Sequence, residues 1–434
     1  MRVAGYALGC KVNQYETEAL NEAFAARGHQ IVEIDDEADL YIINTCSVTN
    51  LGDKKSRQLI RRVKRQNPKA IVAVIGCYAQ VAAAELAKLP EINLLLGTGN
   101  RREIVELAEH YRPEMGLVNR VESVAHQRDF EPLSIDRLSG RTRGYLKIQD
   151  GCDRFCAYCI IPYARGPVRS RAPEDVVAEV RRLAQNGFPE VVLTGIHVAS
   201  YGKDLKTIGL AGLLELVHAV PGVERIRLSS VEPNIVTEDF VARLAALPKV
   251  CRHFHLSLQS GCGKTLREMN RRYTAEEYAA AAELLRKGLP GTELTTDVIV
   301  GFPGETEQDF LESLSFVEKM DFLKVHVFPF SPKRGTPAAA RADQVPNAVK
   351  SDRVQRMLAV SEECTHRRLS RYVGQTLPVL AEEEVAPGVR EGYTPQYLRV
   401  RFAAPEGGKI YNVEAQAVEG EALVGKMALH PEQD

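Results

Sequence analysis

Gly151–Cys159 reads GCDRFCAYC, three cysteines in a C-x3-C-x2-C spacing with Tyr158 directly before the last. The triplet follows a strand-like run, Gly144–Ile148. Three thiolates on one short loop ligate three irons of a four-iron cluster and leave the fourth iron open to a small chelating ligand. The competing reading is a zinc site, which closes all four positions and so requires a fourth ligand from elsewhere in the chain. No second CxxC lies near the triplet to supply it.

Downstream, apolar runs and helical patterns alternate. The expected strands are 144–148, 190–193, 225–228, 253–258, 293–299 and 323–328, with helices beginning near Pro173, Leu210, Thr237, Thr274 and Thr306. Six strand-helix units suit a partial (β/α)6 barrel, whose functional residues sit at the carboxyl ends of the strands. Cys152, Gly195, Glu232, Gln259 and Gly301 fall at or just after such ends. The segment DVIVGFPGET (297–306) places glycines where backbone passes close to a neighbour.

Upstream, the first hundred residues read as a parallel α/β layer with strands at 3–8, 40–43 and 71–75, each followed almost at once by a cysteine: Cys10, Cys46 and Cys77. Parallel sheets collect ligands beyond the carboxyl ends of their strands, so three cysteines at equivalent positions point to a second cluster. Isolated buried cysteines are the plainer explanation of each one taken singly. Between them, DKKSRQLIRRVKRQNP (53–68) sets Lys54, Arg57, Arg61 and Arg65 at helical spacing opposite Leu59, Ile60 and Val63. This face is expected to meet RNA phosphates, and a merely solvated helix face accounts for it equally well.

The chain carries 56 Lys plus Arg against 57 Asp plus Glu, so no global charge attracts nucleic acid and any contact must be local. Nine cysteines argue for metal ligation over a disulfide framework. No leader-like segment opens the sequence and no apolar run is long enough for a membrane span, so a cytoplasmic placement without membrane attachment is expected. The expected division is an α/β domain at 1–112, a linker at 113–139, the partial barrel at 140–365 and a small β-barrel at 366–434. That last segment alternates as strands do, and holds 8 Lys plus Arg against 10 Asp plus Glu. Tyr393, Tyr397, Arg399 and Arg401 are candidates there for a stacking and phosphate surface, or for ordinary strand packing.

With both trios present, the chain resembles, end to end, the methylthiotransferases, a branch of the radical S-adenosylmethionine (SAM) enzymes. GCKVNQYETE (9–18), NTCSV (44–48), GCYAQ (76–80), IIPYARG (160–166) and LSLQSG (256–261) carry the likeness. The resemblance implies two [4Fe-4S] clusters, an auxiliary one on Cys10, Cys46 and Cys77 and a radical one on Cys152, Cys156 and Cys159. It also implies a carboxy-terminal TRAM barrel that grips substrate. SAM would serve twice, as methyl donor to a sulfur at the auxiliary cluster and as source of the 5′-deoxyadenosyl radical that activates an adenine C2. Tyr158, Gly195, Glu232 and Gln259 become candidates to orient SAM, or polar groups that only satisfy neighbouring loops.

GCKVNQYETE is most similar to the bacterial enzymes acting on N6-threonylcarbamoyladenosine at position 37, beside the tRNA anticodon. Isopentenyladenosine enzymes read close to GCQMN, and those modifying a ribosomal-protein aspartate read close to GCPKN. One departure is Gln396 before Tyr397, where TRAM domains commonly carry asparagine. The implied partners are the tRNA anticodon stem-loop, an electron-donor protein and a sulfur donor. A reading of another class is a noncatalytic, zinc-stabilised RNA-binding protein, which leaves the upstream trio unexplained. Cys251, Cys262 and Cys364 share no ligand spacing. His197, His253 and His255 read as satisfied core histidines more readily than as ligands.

Overall fold

A computed structural model of the chain describes residues 1–135 and 142–428. Six parallel strands form the first sheet: β1 (Arg2–Ala7), β2 (Gln30–Ile31), β3 (Leu40–Thr45), β4 (Ile71–Gly76), β5 (Leu94–Leu96) and β6 (Val118–Arg120), in the order β2-β1-β3-β4-β5-β6. LYIINT of β3 is buried throughout because both faces are covered. Leu40 and Ile42 turn to one core, Tyr41 and Ile43 to another. The first of these cores is shared with the barrel that follows, so the two sheets pack as neighbours around common apolar side chains.

That barrel contains β7 (Arg143–Asp150), β8 (Arg169–Ser170), β9 (Glu190–Gly195), β10 (Arg225–Leu228), β11 (His253–His255), β12 (Glu293–Val300) and β13 (Lys324–Pro329). The order β8-β7-β9-β10 continues through the bridges Ile226 to Val250 and Val231 to Leu256 into β11-β12-β13. Six of the strands run parallel, and β8 pairs antiparallel with β7. The helices between them start where expected. Thr237, Thr274 and Thr306 each accept a backbone N–H as N-cap, the last two within capping boxes closed by Glu277 and Asp309.

Five strands, β14 (Thr376–Ala386), β15 (Val389–Tyr393), β16 (Arg399–Ala403), β17 (Ile410–Glu419) and β18 (Ala422–Met427), close a small barrel in the order β14-β15-β16-β18-β17. The helix Asn347–Ser370 runs past the boundary expected at residue 366, because Thr365 bonds the Leu323 carbonyl (2.7 Å) and Leu369 enters the core of the small barrel. The segment expected as a linker adds β6 to the first sheet and buries Leu133 and Ile135 in the shared core. A three-residue VNR strand is too short to alternate visibly in sequence. The end of that linker at 136–139, the expected barrel start at 140–141 and the tail at 429–434 lie outside the described residues.

Candidate active site

The GCDRFCAYC loop leaves β7 through Gly151, whose φ of 75° and contact with Pro167 (a Cβ would stand 1.8 Å from its carbonyl oxygen) admit no side chain. The loop is held by its backbone. Cys152 N–H donates to the Gly166 carbonyl (3.0 Å), Ala157 N–H to Met269 (2.9 Å) and Cys159 N–H to Cys156 (2.9 Å). Phe155 takes a left-handed φ of 48° and stands exposed, in edge contact with Tyr163. Tyr158 packs half-buried against Met269, Phe302, Phe330 and Ala338. Burial pushes the Cys152 thiol up to about 11 and Cys159 up to about 12, so ligation must supply the positive charge that removes their protons.

Around this loop the structure sets Arg271 and Arg154, which the sequence did not single out, against the expected Glu232 and His197. Arg271 donates to Cys156 Sγ (3.2 Å) and pairs with Glu232 (2.9 Å), which also meets Arg154 (2.9 Å) and His197 (3.1 Å). Burial works against the Glu232 charge, but the His197 hydrogen bond and the charges of Arg271, His197 and Arg154 overcome it and hold the carboxyl at about 2. Gly195 lies against Gln149, where a Cβ would stand 3.0 Å from its side chain; Gln149 in turn accepts from His197 N–H (2.7 Å). Gln259 adopts a left-handed φ of 72° between β11 and β12, bonded through its backbone to Asp297 and Ile299. Gly301 and Gly304, also at positive φ, serve packing: Gly301 lies against Lys350, a Cβ there meeting its side chain at 2.4 Å.

The upstream cysteines come together at the carboxyl edge of the first sheet, just after the adjacent strands β1, β3 and β4, with Cys77 opening the short helix Cys77–Val81. Gly9 has a φ of 97° and a Cβ there would meet Cys46 Sγ at 2.6 Å. Cys10 is exposed, Cys46 half-buried and Cys77 buried. Burial raises Cys46 to about 11, with Cys77 and Cys10 adding to the rise.

Arg165, at the end of the short helix that follows the GCDRFCAYC loop, donates through Nε to Cys77 Sγ (3.2 Å) and through Nη2 to Asn13 (2.7 Å). It belongs to a fully buried ion network. Glu16 accepts from Arg165 (2.5 Å) and Lys147 (2.7 Å) and forms an ion pair with Arg101 (2.9 Å), and Asp150 accepts from Lys147 (2.6 Å). The two trios thus belong to one joined region.

Among the described residues, no group of three or more His, Cys, Asp and Glu side chains is arranged to hold a single metal ion. A mononuclear zinc site draws its donors to about 2.3 Å of one point. A four-iron cluster instead assigns each thiolate its own iron. Cys251, Cys262 and Cys364 are buried outside both trios, Cys262 beside Asp309 and Cys364 beside Arg367.

Residues 146–317 match the Radical SAM superfamily, and residues 2–97 match a family described as Uncharacterized protein family UPF0004. The chain is 44% identical over 419 residues to the threonylcarbamoyladenosine tRNA methylthiotransferase MtaB of Bacillus subtilis (strain 168), covering 95% of this chain and 93% of that one. The chain belongs to the radical SAM methylthiotransferase family. Its Aquifex aeolicus relative of the same name is 40% identical, over 88% of this chain and 93% of the relative. A Moorella thermoacetica tRNA-2-methylthio-N(6)-dimethylallyladenosine synthase is 36% identical, over 96% of each. Among solved structures, the radical SAM methyltransferase TsrM of Kitasatospora setae shares the fold at a TM-score of 0.56 and 19% identity, over 78% of this chain and 77% of that one.

As a radical SAM enzyme, the methylthiotransferase uses a [4Fe-4S] cluster and SAM, and the three thiolates of the GCDRFCAYC loop are a donor set that fits such a cluster. On its basic helix, Asn50–Gln66, Lys54, Arg61 and Arg65 are exposed, while Arg57 is turned to Tyr78 (2.5 Å) and Glu85 (3.3 Å). Arg61 stands 3.8 Å from Glu91. In the small barrel, Arg399 and Arg401 both reach Glu391 (3.1 and 3.0 Å). The ring of Tyr397 stacks between Tyr393 (4.6 Å) and His253 (4.7 Å), with Arg227 at 4.8 Å. The two tyrosines therefore join the small barrel to the radical SAM barrel. His253 and His255 both bond Thr295, and His197 bonds Ser200 besides Glu232. Among the described residues no helix is long and apolar enough to cross a membrane.

Proposed function

We propose that this methylthiotransferase adds a methylthio group to C2 of N6-threonylcarbamoyladenosine at position 37 of tRNA, using two [4Fe-4S] clusters and SAM. The observation that carries the reading is the joining of two cysteine trios through Arg165, which follows one trio in sequence and donates to Cys77 of the other. Cys152, Cys156 and Cys159 hold the radical cluster; Cys10, Cys46 and Cys77 hold the auxiliary one. When bound, these groups supply one-electron chemistry at a carbon that ordinary acids and bases do not activate.

The protein's share is placement. Arg271 steadies Cys156, and Glu232 fixes Arg271 and Arg154 beside the loop. Gly195 by its backbone, and Tyr158, Glu232 and Gln259 by their side chains, orient SAM. Lys54, Arg61 and Arg65 meet phosphates of the anticodon stem-loop, with Arg57 behind them and Arg399 on the small barrel. Tyr393 and Tyr397 contribute by setting the barrel that carries Arg399. The domains are taken as 1–112, 113–139, 140–365 and 366–434. The reaction is placed in the cytoplasm, with an electron-donor protein and a sulfur donor as partners. Support for the substrate comes from two relatives, 44% and 40% identical, that are named for threonylcarbamoyladenosine.

The test is nucleoside mass spectrometry of tRNA from cells lacking this gene and from cells carrying it back as wild type or as Cys10→Ala. Loss of 2-methylthio-N6-threonylcarbamoyladenosine, restored only by the wild type, is expected. An unchanged level overturns the substrate assignment and directs attention to isopentenyladenosine and ribosomal protein.

A further inference from the structure

Lys11 immediately follows Cys10 and opens the helix Lys11–Ala26, which packs along β7 and β9 of the radical SAM barrel. Its ammonium lies half-buried, 5.9 Å from the ring centre of Tyr145. Tyr145 alternates along β7 with Leu146, which joins the outer core, so Lys11 and Tyr145 share the inner side of the barrel. Among the described residues Lys11 makes no hydrogen bond and no ion pair.

Its neighbours do not neutralise it. Arg143 is paired with Glu382 (2.9 Å), and Arg227 (2.6 Å) and Arg225 (3.6 Å) share Glu190. Four cations, counting Lys11, thus stand against two carboxylates, a local excess of two positive charges. The next acid along the wall, Asp297, is engaged with His255 (3.2 Å). Tyr397 reports the resulting field. Burial works to raise its hydroxyl, yet Arg143, Lys11 and Arg227 bring it below the ordinary phenol range. A half-buried ammonium in a positive field with no anion of its own is a site for an anionic group brought by the substrate.

We propose that Lys11, backed by Arg143 and Arg227, binds the carboxylate on the N6 side chain of the incoming adenosine, and so selects an anionic N6 substituent over a neutral hydrocarbon one. The inference rests on the threonylcarbamoyladenosine reading above and adds to it the residue that recognises the side chain. Chemistry supports the placement. C2 and C6 flank N1 in the six-membered ring of adenine and C6 carries N6, so an adenine presenting C2 to sulfur beside Cys10 carries its N6 side chain within a lysine's reach of that edge. The threonylcarbamoyl group ends in a carboxylate, and the isopentenyl group carries no charge.

The experiment measures binding of the cluster-loaded enzyme to three synthetic anticodon stem-loops by fluorescence anisotropy. They carry threonylcarbamoyladenosine, its carboxyl methyl ester, or isopentenyladenosine at position 37. The wild type is expected to prefer the acid over the ester by about 10- to 100-fold, the range of a charge-assisted hydrogen bond. Lys11→Gln is expected to bind acid and ester alike, with ester affinity and iron content unchanged, while Lys11→Arg keeps the preference. Retention of the full preference by Lys11→Gln overturns the role of Lys11 and leaves the substrate reading standing, as does loss of it in both variants. A wild type that methylthiolates the isopentenyl stem-loop and neither binds nor modifies the acid overturns the substrate reading, and this inference with it.

Discussion

Replacing Glu232 by Gln keeps the shape of the side chain and removes the charge between Arg271, Arg154 and His197. A carboxyl held at about 2 in the folded protein, against an ordinary value of 4.5, favours folding at neutral pH by about 3 kcal/mol. The loss expected from leaving buried cations without their anion is about 3 to 5 kcal/mol, which agrees. In a domain of roughly 150–250 residues, a loss of 3 kcal/mol lowers the melting temperature by about 6–12 °C.

Differential scanning calorimetry of Glu232→Gln beside the wild type reads this directly, with circular dichroism as a check on folding. The sign with pH follows from the depressed carboxyl. Its stabilisation is complete above 4.5 and is lost as pH falls towards 2, so the gap between the proteins is full at pH 7 and narrows below pH 4.5. Arg271, freed from Glu232, no longer holds its position on Cys156 Sγ, and the radical cluster becomes easier to strip with a chelator. A melting temperature within 2 °C of the wild type at pH 7 refutes the assignment of Glu232 as the anchor of this cation pair.

Anaerobically reconstituted wild type is expected to carry about eight irons per chain, and the Cys10→Ala, Cys46→Ala, Cys77→Ala triple variant about four; equal iron in both sinks the auxiliary cluster. Cys251→Ser, Cys262→Ser and Cys364→Ser, lying outside both trios, should leave the iron content unchanged. Charge reversal at Lys54, Arg61 and Arg65 should weaken tRNA binding and lower the slope of log affinity against log salt by about 2 to 3, as measured by filter binding across a salt series. Tyr397→Ala removes a ring stacked between Tyr393 and His253 at a cost of about 3 kcal/mol or more, and should expose the Ser370–Thr376 junction to limited proteolysis.

The sequence by itself determined the two cysteine trios and the barrel that presents one of them, because those signals are local. A C-x3-C-x2-C loop, a cysteine after each of three buried runs, and threonine caps before helices depend on neighbours a few residues away. Only the tertiary structure decided what surrounds them. Glu232 was visible at a strand end, but its grip on Arg154, Arg271 and His197 spans separate strand-helix units. Arg165 stood within IIPYARG, yet nothing in its neighbours shows that it reaches Cys77, 88 positions away in the chain. Tyr397 reads as a surface aromatic until the radical SAM barrel supplies His253 and Arg227 against its ring. Lys11 sits in plain view beside Cys10, and its lack of an anion emerges only when Arg143 and Arg227 come near it and use the available carboxylates. Charge pairing and burial are sums over distant residues that meet in three dimensions, whereas ligand spacing and helix caps are written within one turn or one loop of the chain.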